Sequence, residues 1–356
     1  MTRPIAAVID RGALLHNLQL IRARTAGSRL MAVLAGNAYG HGLQEVASVL
    51  SEVDAIGVIR LEDAVALRYQ GLKCPIVLLE GIHAEQDLDI VAEHQLGMVI
   101  HRQQQLQWLL AAWLSVRIDV WVNLNTGLNQ FGFSADELPH VMAGLAKANQ
   151  AGRIVLMSEL ATANEEDGCL MQQSVFEMEI APYASPASLA NSDAVLLHDG
   201  MSHAWVRVGK ALLGLGSVAR ADEGALRPVM SLQSQVVAER MIAAGEPVGY
   251  GATFHADHDM RIGIVACGYA DGYPAQLPIG TPVFVNGHRT RLLGRVAMHT
   301  LMIDLTGFPD CQVGASVELW GEGVPLTALA SILDLPAATV ATQVPATVPR
   351  VLRSVG

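Results

Sequence analysis

The chain has 356 residues, enough for two domains, and with 51% hydrophobic and 16% charged residues it can bury a large core. Its net charge of -11 excludes nucleic acid and anionic membrane surfaces as natural partners. No apolar run reaches the roughly 18 residues of a spanning helix, and MTRPIAAVIDRG lacks the apolar stretch of a signal peptide. Cys74, Cys169, Cys267 and Cys311 have no CxxC spacing, so neither a metal site nor a disulfide framework is expected. These features predict a soluble cytoplasmic protein.

In chain order, strands are predicted at 31–35 (MAVLA), 54–59 (DAIGVI), 75–80 (PIVLLE) and 98–101 (MVIH). They continue at 118–125 (IDVWVNLN), 153–160 (RIVLMSEL), 187–192 (ASLANS) and 205–209 (WVRVG). Most are near-continuous apolar runs, as strands covered on both faces require. Helix-like segments such as LEDAVALRYQG and SADELPHVMAGLAKANQ lie between most of them, the latter opening with a capping-box pair, Ser134 and Glu137. Eight strands alternating with helices predict an α/β fold, a (β/α)8 TIM barrel over residues 10–228, with an open doubly wound sheet as the other arrangement the pattern allows. Asn37, Glu80, His101, Asn125, Glu159, Asn191, Ser192 and Arg207 gather at the strand C-termini, where a barrel builds its active site.

After about residue 228 the pattern changes to alternating or apolar runs with glycine-containing turns: SLQSQVVAERMI, RIGIVACGY, TPVFVNGHRTRLLG, LMIDLTG and ASVELWGEG. An all-β domain is expected over 229–356, joined by a strand from residues 1–9. Alternation along IVACGY would put Cys267 and Tyr269 on one face of a strand.

The segment AVLAGNAYGHGL (32–43), followed in order by SLANSDAVL, WVRVG, RPVMSL, GEPVGYG, GIVACGYADGYP, GTPVFVNG, GRVAM and VELWGEG, resembles the alanine racemase family across most of the chain. The resemblance implies a pyridoxal-phosphate barrel with a β-domain and a homodimer whose active site takes residues from both chains. It also implies that the family's Schiff-base lysine falls at Ala35, and that the opposing tyrosine base, supplied by the partner, is Tyr269 in GYADGYP. Tyr39, Asn191, Ser192, Arg207 and Gly209 occupy family positions for the cofactor's phosphate and pyridine ring, and Lys210 follows directly. Asn191, Ser192, Gly209 and Lys210 would form a cup for an anion.

Several positions depart from the family. Besides Ala35, Glu159 stands in place of a histidine that supports the tyrosine, Gln130 in place of an arginine, Asn123 in place of a lysine and His299 in place of an aspartate. Only Lys73, Lys147 and Lys210 are lysines. On these residues the sequence points to a repurposed enzyme that needs no pyridoxal phosphate and uses Glu159, Tyr269 and His299 for acid–base chemistry on a small amino-acid-like or anionic substrate. A non-catalytic, ligand-binding homodimer is the alternative, and racemisation through Lys210 ranks last. Glu159 has a plainer reading as the partner of Arg207, and Cys267 as core.

Overall fold

The computed structural model describes residues 3–50, 52–216 and 226–353. The chain divides into two compact units, Leu15–Ala38 with Ala47–Leu226, and Met1–Leu14 with Tyr39–Val46 and Arg227–Gly356. Strand β1 (Ala6–Asp10) belongs to the second. The first is a closed barrel of β2 (Arg29–Val33), β3 (Ala55–Val58), β4 (Ile76–Leu78), β5 (Gly97–Ile100), β6 (Ile118–Asn123), β7 (Ala151–Met157), β8 (Ala187–Ser188) and β9 (Trp205–Val208). Each strand pairs in parallel with the next, and β9 returns to β2 in the register Met31↔Arg207 and Ala32↔Val208. Closure removes the doubly wound alternative.

The barrel strands are apolar because both of their faces are covered; β3, β5 and β9 are buried at every position. Inside the barrel, Met31, Val77, Trp121, Val155, Met157 and Trp205 pack into one cluster. Helix Leu61–Tyr69 carries Glu62 and Asp63 in its first turn and Arg68 in its last, each complementing the helix dipole. At the predicted capping box, the Glu137 carboxylate accepts from the Ser134 N–H at 2.8 Å, and helix Leu138–Leu145 follows.

Two predicted strands are cut short. β8 stops after Ser188, because the Asn191 side chain accepts from the N–H groups of Asp193 and Ala194 and so caps helix Ser192–Leu197. β2 stops at Val33 and runs into Gly36, Asn37 and Ala38, all with left-handed helical dihedrals, and Tyr39 with φ of 50°. Three consecutive non-glycine residues at positive φ cost roughly 1–2 kcal/mol each. Such strain is characteristic of functional segments.

In the second unit β1 pairs antiparallel with β10 (Met230–Ile242), as expected of the N-terminal strand. Along the chain follow a small hairpin, β11 (Pro247–Val248) with β12 (Phe254–His255), then β13 (Met260–Val265), β14 (Pro282–Val285), β15 (His288–Leu293), β16 (Leu301–Asp304), β17 (Ser316–Trp320) and β18 (Arg350–Arg353). The main sheet runs β13-β16-β15-β14-β17-β10-β1-β18, and β10 also pairs with β13, making a ring of six strands. The β14–β15 turn is Asn286-Gly287, both at positive φ, the geometry of a tight two-residue hairpin. Among the described residues, no helix is long and apolar enough to cross a membrane.

Candidate active site

At the C-terminal mouth of the barrel the fixed point is Arg207. Its side chain is 3% exposed, and its two terminal nitrogens are fully engaged. One donates to the Ser188 carbonyl and hydroxyl at 2.9 and 2.8 Å, and the other to the Ser158 carbonyl and to Glu159 Oε2, the latter at 2.9 Å. Nε–H is then the one donor of the guanidinium not committed to these contacts.

Glu159 is 40% exposed, and its second oxygen accepts from Asn191 Nδ2 at 3.1 Å. Its backbone carbonyl accepts from Gln172 Nε2, which also donates to Thr126; Gln172 Oε1 in turn accepts from the Ala161 N–H. The carboxylate is thus an ion-pair partner held in place by two neighbours.

Beside it lies a hydroxyl cup. The buried Ser192 Oγ accepts from the N–H groups of Gly209 at 3.1 Å and Ala211 at 3.3 Å, leaving its own proton to donate outward. Lys210 is committed to an ion pair with Asp193. At the end of β6 the Asn123 side-chain oxygen is buried with no hydrogen-bond partner. Gln130 is exposed on the loop after β6, and Ala35 is partly buried after β2.

Tyr269 and His299 belong to the β unit, as does Tyr39. Tyr269 is 47% exposed and opens a short 3-10 turn, Tyr269–Asp271. Its N–H and that of Ala270 donate to the carbonyls of Ala297 and Met298, which places the tyrosine turn against the segment that carries His299. Arg3 joins the two: it donates to Asp271 at 2.8 Å, lies 3.0 Å from His299 Nδ1, and also bonds the His299 carbonyl. The structure brings together Glu159, Asn191 and Arg207, and Ser192 with Gly209, while Lys210 is turned to Asp193 and so leaves the expected anion cup; within the β unit it brings together Tyr269 and His299.

The expected sharing of a strand face by Cys267 and Tyr269 is corrected. β13 ends at Val265, and Asp271 accepts from the Gly268 N–H to start a turn. Cys267 is fully buried, and burial pushes its thiol well above its ordinary value, so it is core. Among the described residues no cluster of His, Cys, Asp or Glu suits a metal ion. Sequence reasoning missed Ser158, Ser188 and Gln172, whose only signal was a polar residue within or beside an apolar strand or helix.

His101, at the end of β5, has Nε2 3.0 Å from the Glu80 carbonyl and lies against Phe131. Burial, the largest cause, lowers its pKa from 6.5. The unfolded chain therefore binds this proton more readily, and the stability His101 provides is present above about pH 6.5 and lost as pH falls through the lowered folded value. His101→Gln should flatten the acid side of the stability profile below about pH 6.5. Chemical denaturation across pH checks it, and an unchanged acid limb contradicts it.

A closed parallel barrel with an arginine and a hydroxyl cup at its C-terminal mouth, followed in the chain by an antiparallel β unit, is an architecture that suits an enzyme. Residues 9–217 match the alanine racemase N-terminal domain and residues 229–352 the alanine racemase C-terminal domain. The chain belongs to the alanine racemase family. It is 44% identical over 331 residues to the alanine racemase of Aromatoleum aromaticum, covering 92% of this chain and 93% of that protein. The biosynthetic alanine racemase of Pseudomonas aeruginosa superposes with a TM-score of 0.90 at 37% identity, covering 99% of this chain and all of that one. The fold is shared at 24% identity and TM-score 0.88 with alanine racemase from Bartonella henselae, solved with covalently bound pyridoxal phosphate, over 98% of this chain and 99% of that one.

These relatives correct two expectations. A repurposed enzyme independent of pyridoxal phosphate, or a non-catalytic binding protein, does not fit a chain that is 40–44% identical over more than nine-tenths of its length to proteins named alanine racemase. The expectation of no cofactor is overturned with it. The departures expected at Ala35, Gln130, Glu159 and His299 concern four positions, against similarity along more than nine-tenths of the chain.

Proposed function

We propose that this protein interconverts the enantiomers of a small amino acid, alanine first, with pyridoxal phosphate at the barrel mouth. The observation that carries the reading is chain-long similarity to the A. aromaticum alanine racemase, with Arg207, Asn191, Ser192 and Gly209 kept at the mouth. The residues present suit the cofactor at two of its three ends. The outward-facing Ser192 hydroxyl suits the phosphate, and the absence of a side chain at Gly209 allows close approach. The uncommitted Nε–H of Arg207 suits the ring nitrogen, and the unpartnered Asn123 oxygen provides a polar contact on the ring's path.

The third end does not fit a covalent anchor, because Ala35 carries a methyl group. Our reading is of a family member that lacks the lysine at this position and holds its cofactor through the phosphate and ring contacts. When bound, pyridoxal phosphate supplies an aldehyde for the substrate amine and an electron-withdrawing ring. No step is assigned to a lysine at position 35.

For the residues themselves, Arg207 orients the ring, and Glu159 and Asn191 hold the arginine. Tyr269, nearly half exposed on its turn, reaches the mouth of a second copy and moves the substrate's α-proton; Arg3 and His299 fix that turn. The working form is accordingly a homodimer with shared sites, and with all four cysteines free it suits the reducing cytoplasm.

Tyr269→Phe should slow racemisation about 10²–10⁴-fold, the usual range for a positioned acid–base group. Chiral chromatography of alanine incubated with protein and pyridoxal phosphate reads this, and an unchanged rate removes Tyr269 from the reaction. The reading as a whole is tested by the same assay on the parent protein. Cofactor-dependent racemisation supports it, and none at saturating cofactor overturns it.

A further inference from the structure

The opposite, N-terminal end of the barrel contains a cavity of about 340 Å³. At the ~30 Å³ that one liquid water occupies, this is space for about ten waters, more than a bare phosphate fills. Part of its wall is apolar: Ile76, Val77, Leu96 and Val155, with the indoles of Trp121 and Trp205. The two indoles meet edge to face, 5.1 Å between centroids.

The cavity's charge is unlike that of the whole molecule. Arg68, Lys73, Arg117 and Arg153 line it against one carboxylate, Asp119, in a chain whose net charge is -11. Asp119 is taken by Arg153 at 2.8 Å. Arg68 donates to the carbonyls of Leu72, Cys74 and His94, which anchor the guanidinium without neutralising it. Among the described residues Lys73 and Arg117 have no acidic partner, and Arg29 adds a further cation 5.5 Å over the Trp205 ring.

A second observation points to a ligand. Trp205 is 95% buried by its relative exposure of 5%, yet its indole N–H has no acceptor. Buried donors are almost always paired, so one left open beside a cavity calls for an acceptor. The N-terminal face of a barrel ordinarily serves stability. Clustered like charges work against stability, so the fold alone does not account for them.

We propose that this cavity is a second ligand site, separate from the barrel mouth, for a small phosphate ester with a flat apolar body. The body lies against Trp121 and Trp205, an acceptor oxygen takes the Trp205 N–H, and the phosphate is held by Lys73 and Arg117, with Arg68 and Arg153 adding charge.

The test uses phenyl phosphate as probe and inorganic phosphate as the control for a bare anion, each titrated into the full-length protein by calorimetry with tryptophan fluorescence in parallel. Phenyl phosphate should bind saturably and at least tenfold more tightly than inorganic phosphate. Lys73→Gln combined with Arg117→Gln, both exposed, should weaken it at least tenfold with an unchanged thermal midpoint. Trp205→Phe, which keeps the ring and removes the donor, should weaken it several-fold. Ser192→Ala, at the mouth, should leave in place the binding that the Lys73/Arg117 pair removes. No saturable binding, equal affinity for the two probes, indifference to the Lys73/Arg117 pair, or loss in Ser192→Ala would each overturn the proposal.

Discussion

Replacing Ala35 with lysine is expected to raise alanine racemisation at saturating pyridoxal phosphate by about 10²–10⁴-fold, the span typical of a single positioned proton-transfer group. The backbone is already arranged for it. β2 and β9 are neighbours in the closed barrel, with Met31 opposite Arg207 and Ala32 opposite Val208. A side chain from position 35 therefore emerges beside the strand that carries Arg207 and Gly209. The left-handed turn at Gly36, Asn37 and Ala38 begins just after it, and Ala35 itself is not among the positive-φ residues, so the substitution asks for no new backbone strain. Borohydride reduction of the Ala35→Lys protein with cofactor, followed by mass mapping, should recover the label on the introduced side chain. A variant no faster than its parent, with the label elsewhere, would show that position 35 does not face the cofactor.

The largest stability effect is expected from Arg207. Truncation in Arg207→Ala removes a buried guanidinium that ties Ser158, Ser188 and Glu159 across three strand ends. It also leaves the Ser188 and Ser158 carbonyls short of a donor. Breaking such a pair from one side costs about 3 kcal/mol at the lower end of the usual range. For a unit of this size that corresponds to a thermal midpoint lower by about 6–12 °C. Glu159→Gln should cost only about 1 kcal/mol, because the carboxylate is 40% exposed and an amide still accepts from the arginine. Calorimetric or circular-dichroism melts distinguish the two, and equal shifts would mean that the ion pair and not the arginine's carbonyl contacts holds the mouth.

The barrel was legible because its strands are covered on both faces: short runs such as IDVWV and WVRV, rich in β-branched and aromatic residues, suit that burial. The Asn286-Gly287 hairpin and the N-terminal strand were legible for similar reasons, one from turn chemistry and one from alternation. Strand ends were less so. Asn191 before SDAVLL is an ordinary helix-capping residue that also closes a strand-like run, and CGYADG with its two glycines suits a turn as well as a strand end; the hydrogen bonds of Asn191 and Asp271 decide both. The left-handed turn offered one cue, Gly36; Asn37, Ala38 and Tyr39 adopt it because their surroundings impose it.

At the site, the residues that could be found were those on family motifs. Ser158, Ser188 and Gln172 escaped because their work is done through long-range contacts, such as Gln172 reaching Thr126 and the Glu159 carbonyl. The reaction is poorly legible for a different reason. Polar replacements at a barrel mouth look alike in sequence whether the site has changed its reaction or only its way of holding the cofactor. The similarity along the whole chain speaks against a changed reaction.

The most direct measurement is chiral analysis of L-alanine incubated with the parent protein, with and without pyridoxal phosphate. D-alanine formed faster with protein and cofactor together than with either alone is the predicted result. A rate equal to that of the cofactor alone would contradict the assignment of racemase function to this chain.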